Sequence, residues 1–77
     1  MTIGRHDIFI LIDEERTRQL LKWGQQRHLD SDWYIITAEE FGEIAKAILQ
    51  GELKNIQIEI IQTIACLVGW LEEGRER

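Results

Sequence analysis

The clearest periodicity lies in the last third of the chain. Ile60, Ile61, Ile64, Leu67, Val68 and Leu71 fall within roughly 120° of one another at about 100° per residue. This spacing predicts a helix from about Leu53 to Glu73, some 30 Å long at ~1.5 Å per residue, with that stripe as its core face. Gly74 and the charged tail Arg75-Glu76-Arg77 end it. Upstream, Phe41, Ile44, Ala45, Ile48 and Leu49 recur at i, i+3, i+4, i+7 and i+8. They predict a second helix from Thr37 to about Gln50. Thr37 and Glu40 form a capping box at its start, and Gly51 supplies its C-terminal stop.

The first third is less regular. A helix from near Ile8 to His28 fits, with Asp7 as N-cap and Gly24 as a weak point late in its course, although Ile8 to Ile12 also reads as a short strand. Residues 29–36 carry Asp and Ser turn signals and read as a loop. On the third helix, Ile56 and Trp70 lie just outside the apolar stripe and Ile58 well away from it. More of this helix is apolar than one antiparallel neighbour covers, and self-association is the simplest use for the surplus.

Composition narrows the class. Seventy-seven residues, with no proline and 44% hydrophobic positions, predict a single all-α domain over 1–77. It is expected to be a helical bundle of three main helices per chain, completed by oligomerisation into a dimer or tetramer, because so short a chain without disulfides is marginal as a monomer. The net charge of -5 argues against a nucleic acid polymer or an anionic membrane as partner. The single cysteine, Cys66, has no internal disulfide partner, which fits a reducing cytoplasm. The longest apolar run, Ile8 to Ile12, is far short of the roughly 18 residues of a membrane span, and no signal peptide is visible.

Charge placement supplies the candidate chemistry. Glu39, Glu40 and Glu43 point away from the Phe41/Ile44/Ile48 stripe of the second helix, as Glu59 and Gln62 do from the Ile64/Leu67 stripe of the third. In an antiparallel hairpin about Gly51, residues whose numbers sum to 102 share a height, so Glu43 is level with Glu59 and Glu40 with Gln62. Each pair has i, i+3 partners on its own helix, so three carboxylates and an amide converge on a patch one turn high. Clustered carboxylate oxygens repel unless a cation sits among them, and they suit Mg²⁺ or Mn²⁺. The plainer alternative is a solvated acidic face.

Glu39-Glu40-Phe41-Gly42-Glu43, fifteen intervening residues, then Glu59-Ile60-Ile61-Gln62 resembles the EExxE...ExxD signature of the MazG-like all-α nucleoside triphosphate pyrophosphohydrolases. Arg16, Gln19, Lys22-Trp23-Gly24-Gln25, His28 and Trp33 extend the likeness, which covers roughly residues 14 to 72. The resemblance implies a MazG-like fold and a hydrolase that converts an NTP or dNTP with water to the monophosphate and pyrophosphate, with Mg²⁺ as cofactor. It implies Glu40, Glu43 and Glu59 as metal ligands and Glu39 as an adjacent carboxylate that ligates a second ion or orients water. Gln62 stands where the signature has Asp; its amide oxygen can ligate magnesium with less charge. The alternative is a non-catalytic nucleotide-binding or structural helical interaction module.

Gln19, Lys22, Trp23 and Gln26 share a mixed face of the first helix. A lysine can neutralise a phosphate, a glutamine can read a base edge and an indole can stack on a base, which makes them and His28 candidate substrate contacts. Trp23 also reads as a core or interface anchor, Lys22 as a solvated residue and His28 as a partner of the helix dipole. Trp33 and Trp70 read as packing residues, and Cys66 as a buried small hydrophobe with no histidine placed to activate it.

Overall fold

Two glycines with positive φ divide the chain. Gly24 (φ 69°) and Gly51 (φ 72°) adopt a backbone region that side-chain-bearing residues avoid. Between and beyond them the structure, a computed structural model describing residues 2–74, forms three helices: α1 (Arg5–Trp23), α2 (Asp30–Gln50) and α3 (Leu53–Glu73). The charged tail 75–77 lies outside the described residues. Helix α3 and the Gly51 stop fall where the periodicity puts them; the N–H of Gly51 donates to the carbonyls of Ala47 and Ile48.

The other boundaries move. Helix α1 starts at Arg5 with Gly4 as N-cap, so Asp7 is not the cap; it sits in the first turn, where its charge favours the positive end of the helix dipole. The run from Ile8 to Ile12 is helical, not a strand. The helix ends at Trp23, because Gly24 takes a positive φ and its N–H donates to the Leu20 carbonyl. His28 is therefore not helical.

Helix α2 begins seven residues before the expected Thr37, so residues 30–36 are not a loop and the Thr37/Glu40 capping box does not form. Asp30 and Asp32 occupy the first turn, where negative charge is favoured. Trp33, Ile36, Glu40, Ile44 and Ala47 continue one inward stripe at steps of three and four. Thr37 is buried mid-helix.

Helix α3 lies between the other two: α2 packs along one side and α1 along another, and the α1 and α2 backbones do not meet. The faces are turned opposite to expectation. Buried on α3 are Thr63, Ala65, Cys66 and Gly69, whereas Ile60, Leu67 and Leu71 of the expected core stripe are exposed, Leu71 to 73%. On α2, Phe41, Ile48 and Leu49 are exposed as well. The inner faces carry small residues that let helices approach and polar groups that find partners there, and these displace the large aliphatic side chains outward.

Arg16 shows why. It is 7% exposed; its Nε donates to Glu72 Oε1 at 2.8 Å and its Nη2 to Glu73 Oε2 at 2.6 Å, tying α1 to the last turn of α3. Burial works against the charged guanidinium, but the hydrogen bonds to Glu72 and Glu73 outweigh it, and the pKa rises. Gly69 makes room for this group. A Cβ at that position would stand 3.0 Å from Arg16 Cζ and 3.1 Å from Trp33 Cη2. Alanine is the better helix former by ~1 kcal/mol, yet here it presses on a bidentate guanidinium and on an indole that is 3% exposed. Gly69→Ala is expected to be destabilising by about 1–2 kcal/mol, as overpacked sites are, read as a fall of several degrees in Tm. An unchanged or higher Tm would show that this contact yields freely.

Candidate acidic groove

Because α1 and α2 diverge across α3, a groove of about 420 Å³ opens between them. Its α1 wall is built from Glu15, Arg16, Arg18, Gln19, Lys22 and Trp23, with Gln26 just beyond; Trp33, Ile36 and Glu40 form the α2 wall, and Gln62 and Cys66 the floor, so basic as well as acidic side chains line it. The volume is in the range of small-molecule sites. Glu40 and Gln62, expected at one height in the hairpin, do line the same groove, and so does the whole Gln19/Lys22/Trp23/Gln26 set from the first helix. Glu39, Glu43, Glu59 and His28 are not among the lining residues. A second, more apolar cavity of about 400 Å³, walled by Leu11, Ile58 and Ile61, shares Glu15, Arg18 and Gln62 with the first.

Glu40 is the electrostatic centre. Burial raises its pKa, and the carboxylates of Glu59, Glu43, Glu15 and Glu39 raise it further. The carboxylates of the expected patch thus act on Glu40 through their charge, and Glu15 of α1 acts with them. In the sequence Glu15 stands out only as the end of the acidic run Asp13-Glu14-Glu15. The signal that could have found it is its place one turn before Gln19, on the face that continues to Lys22 and Gln26.

Glu15 is held firmly. Arg18 donates to it through Nε at 2.8 Å and Nη2 at 2.7 Å, and Gln19 Nε2 lies 3.3 Å from Glu15 Oε2 and 3.5 Å from the Gln62 carbonyl. Glu15 thus stands beside Gln62, the position where the acidic signature lacks its last carboxylate. Among the described residues no group of three His, Cys, Asp or Glu side chains forms a ready-made metal site.

The aromatic and thiol groups divide between packing and exposure. Trp23 is 52% exposed, with Lys22 Nζ 4.7 Å from its ring centroid, so it is no core anchor. Trp33 is a packing residue, as read from sequence. His28 meets the Trp33 ring edge-on at 5.2 Å, and His28 Nε2 and Trp33 Nε1 are both buried without a hydrogen-bond partner among the described residues. Trp70 packs edge-on against Tyr34 and donates from Nε1 to Asp30 Oδ1 at 2.7 Å. Burial pushes the Cys66 thiol up to about 11, with Glu40 and Glu15 adding to the effect, so at neutral pH it is protonated and a poor nucleophile.

The raised Glu40 pKa gives a signed expectation. The folded state holds this proton more tightly than the unfolded chain. Glu40's contribution is therefore fully favourable below its ordinary value of 4.5 and is lost as pH rises through the raised value. Without divalent metal, Glu40→Gln is expected to melt above wild type at pH 7, with the two curves converging toward pH 4.5. Equal Tm values across that window would remove the electrostatic account of this residue.

None of the helices is long and apolar enough to cross a membrane, among the described residues. No family model matches the chain, and no curated protein or solved structure is significantly similar to it.

Proposed function

We propose that the chain is a Mg²⁺-dependent nucleoside triphosphate pyrophosphohydrolase of the MazG-like kind, acting on the α-β phosphoanhydride bond as a homo-dimer or tetramer in the cytoplasm. One observation carries the reading: a single groove gathers Gln19, Lys22, Trp23 and Gln26 from the first helix with Glu40 and Gln62 of the acidic hairpin. Two members of the acidic set, Glu40 and Gln62, thus line the same space as the first-helix set, and that space is large enough for a small ligand.

The donor set suits a hard cation. All its atoms are carboxylate or amide oxygens, and the crowding that raises Glu40 is relieved by positive charge. Magnesium binds through one or two carboxylates plus substrate phosphates, so a preformed cluster of three is not required. Glu40, Glu43 and Glu59 would hold it, with Gln62 offering its amide oxygen and Glu15 the carboxylate that Gln62 lacks. When bound, the ion offsets phosphate charge and lowers the pKa of an attacking water. In this arrangement Lys22 faces phosphate, the exposed Trp23 face stacks on the base, and the Gln19 and Gln26 amides read polar edges. Glu39, next to Glu40 and exposed, orients water.

Incubating the protein with a panel of NTPs and dNTPs and Mg²⁺, and separating the products by chromatography, tests the reading. Monophosphate and pyrophosphate are expected. Absence of turnover, together with nucleotide-induced stabilisation, would favour the non-catalytic nucleotide-binding module, for which the neutral Gln62 speaks. Absence of both would leave a structural helical module.

A further inference from the structure

The three cations that line the groove are not equally free. Arg16 is buried and committed to Glu72 and Glu73. Arg18 and Lys22 are exposed and stand four residues apart on α1, so their side chains leave one face a turn apart, about 6 Å along the axis. Lys22 forms no ion pair among the described residues, and its Nζ lies over the Trp23 ring. Arg18 is bound to Glu15, its own side chain 49% exposed and that of Glu15 only 12%.

The bond between them is one-sided. A guanidinium carries five N–H donors in a planar fork. Arg18 commits its Nε edge to Glu15, with Nε donating to Oε1 and Nη2 to Oε2. The opposite edge, Nη1 with the second N–H of Nη2, has no acceptor among the described residues. Gln19 Nε2 braces the same carboxylate from the next turn, 3.3 Å from Oε2, so the better-buried Glu15 fixes the plane in which the arginine lies. A carboxylate has about four lone-pair sites, and these three donors leave one on Oε1 for a cation.

Charge joins the two sides of the groove. The hydrogen bond to Glu15 raises the Arg18 pKa, and the Glu40 carboxylate on the α2 wall adds to the effect. A cationic edge and an acidic end thus act within one space.

We propose that Arg18, held in place by Glu15, is a phosphate-binding residue that forms with Lys22 a two-cation row along the α1 wall for a chain of phosphates. The proposal rests on the reading of the groove as a nucleoside triphosphate site and divides its labour: the acidic end takes the metal, the α1 row the phosphates beyond it. The free guanidinium edge matches two phosphate oxygens at once, which an ammonium cannot do. A single phosphate reaches one cation of the row, whereas a polyphosphate bridges both. Arg18 is not among the residues that carry the family resemblance, and its role is visible only once Glu15 is seen to hold it.

Calorimetry with inorganic tripolyphosphate and millimolar Mg²⁺ tests the row apart from base recognition and turnover. Wild type is expected to bind tripolyphosphate at least ~10-fold more tightly than orthophosphate, and Arg18→Ala to lose at least ~10-fold of the tripolyphosphate affinity. Arg18→Lys should recover only part of it. Mg²⁺ alone should bind Arg18→Ala as well as wild type or better, because the substitution releases Glu15 and removes a positive charge. Its Tm should move by a few degrees at most, since the pair is half-exposed. Undiminished tripolyphosphate affinity in Arg18→Ala overturns the proposal even where nucleotides are hydrolysed. So does an equal loss of affinity for Mg²⁺ alone, which would place Arg18 in service of the metal end. Arg18-dependent tripolyphosphate binding without hydrolysis of any NTP or dNTP upholds the row and removes the hydrolase reading. Wild type that binds no tripolyphosphate overturns both.

Discussion

Replacing Arg16 with alanine is expected to be destabilising by about 3–5 kcal/mol, the cost of breaking a buried ion pair from one side. The two carboxylates it binds are not equivalent. Glu73 is 9% exposed, whereas Glu72 is 54% exposed and water can replace the arginine there. Most of the loss therefore comes from Glu73, left charged and buried. Among the described residues the backbone N–H of Gln26, 3.4 Å from Glu73 Oε2, is the remaining donor to it, at a distance too long to compensate. Small domains have roughly 5–15 kcal/mol in total, so the variant is expected to lose a large share of its stability. Urea titration measures this directly. Arg16→Lys should recover only part, since an ammonium cannot reach both carboxylates through a planar fork. Glu72→Gln should cost under about 1 kcal/mol. An Arg16→Ala protein within 1 kcal/mol of wild type would show that the pair does not hold α1 to α3.

The same arginine marks the limit of what the amino-acid sequence discloses. Helix α3 and the Gly51 turn are legible because a long apolar repeat and a left-handed glycine are local signals. The start of α2 is not, because Asp30-Ser31-Asp32 serves as well in the first turn of a helix as in a loop. Trp33 and Ile36 settle the matter only by packing inward. The direction of the stripes is also misread from periodicity. A strong moment says that one face is apolar, not that this face meets the chain's own other helices. Here the polar partners of Arg16, Gln19 and Thr63 lie inside, and the apolar faces are left for something outside. Numbering symmetry about Gly51 places Glu40 with Gln62, since hairpin height is simple arithmetic. It says nothing of α1, whose crossing brings Glu15 and Arg18 to the same acidic end. His28 falls outside the groove because Gly24 ends the helix that would have carried it there.

Glu59→Gln or Glu43→Gln is expected to abolish Mg²⁺-dependent hydrolysis, with product formation down at least ~100-fold, if the groove acts as proposed. The amide keeps the shape of the side chain and removes one charge, so a loss reports on electrostatics rather than on packing. Both residues reach Glu40 through the field that raises its pKa. Neutralising either one should also leave the metal-free protein as stable as wild type or slightly more so. The two effects have opposite signs, and that opposition makes the test sharp. A variant that loses activity because it is misfolded melts lower without metal; a variant that loses a ligand melts the same or higher and no longer gains stability when Mg²⁺ and nucleotide are added. If the acidic face were only solvated surface, both substitutions would stay within about 0.5 kcal/mol and change no response to metal. Full activity in either variant removes that residue from the metal site, and full activity in both leaves Glu40 and Glu15 as the carboxylates among the described lining residues to carry the chemistry.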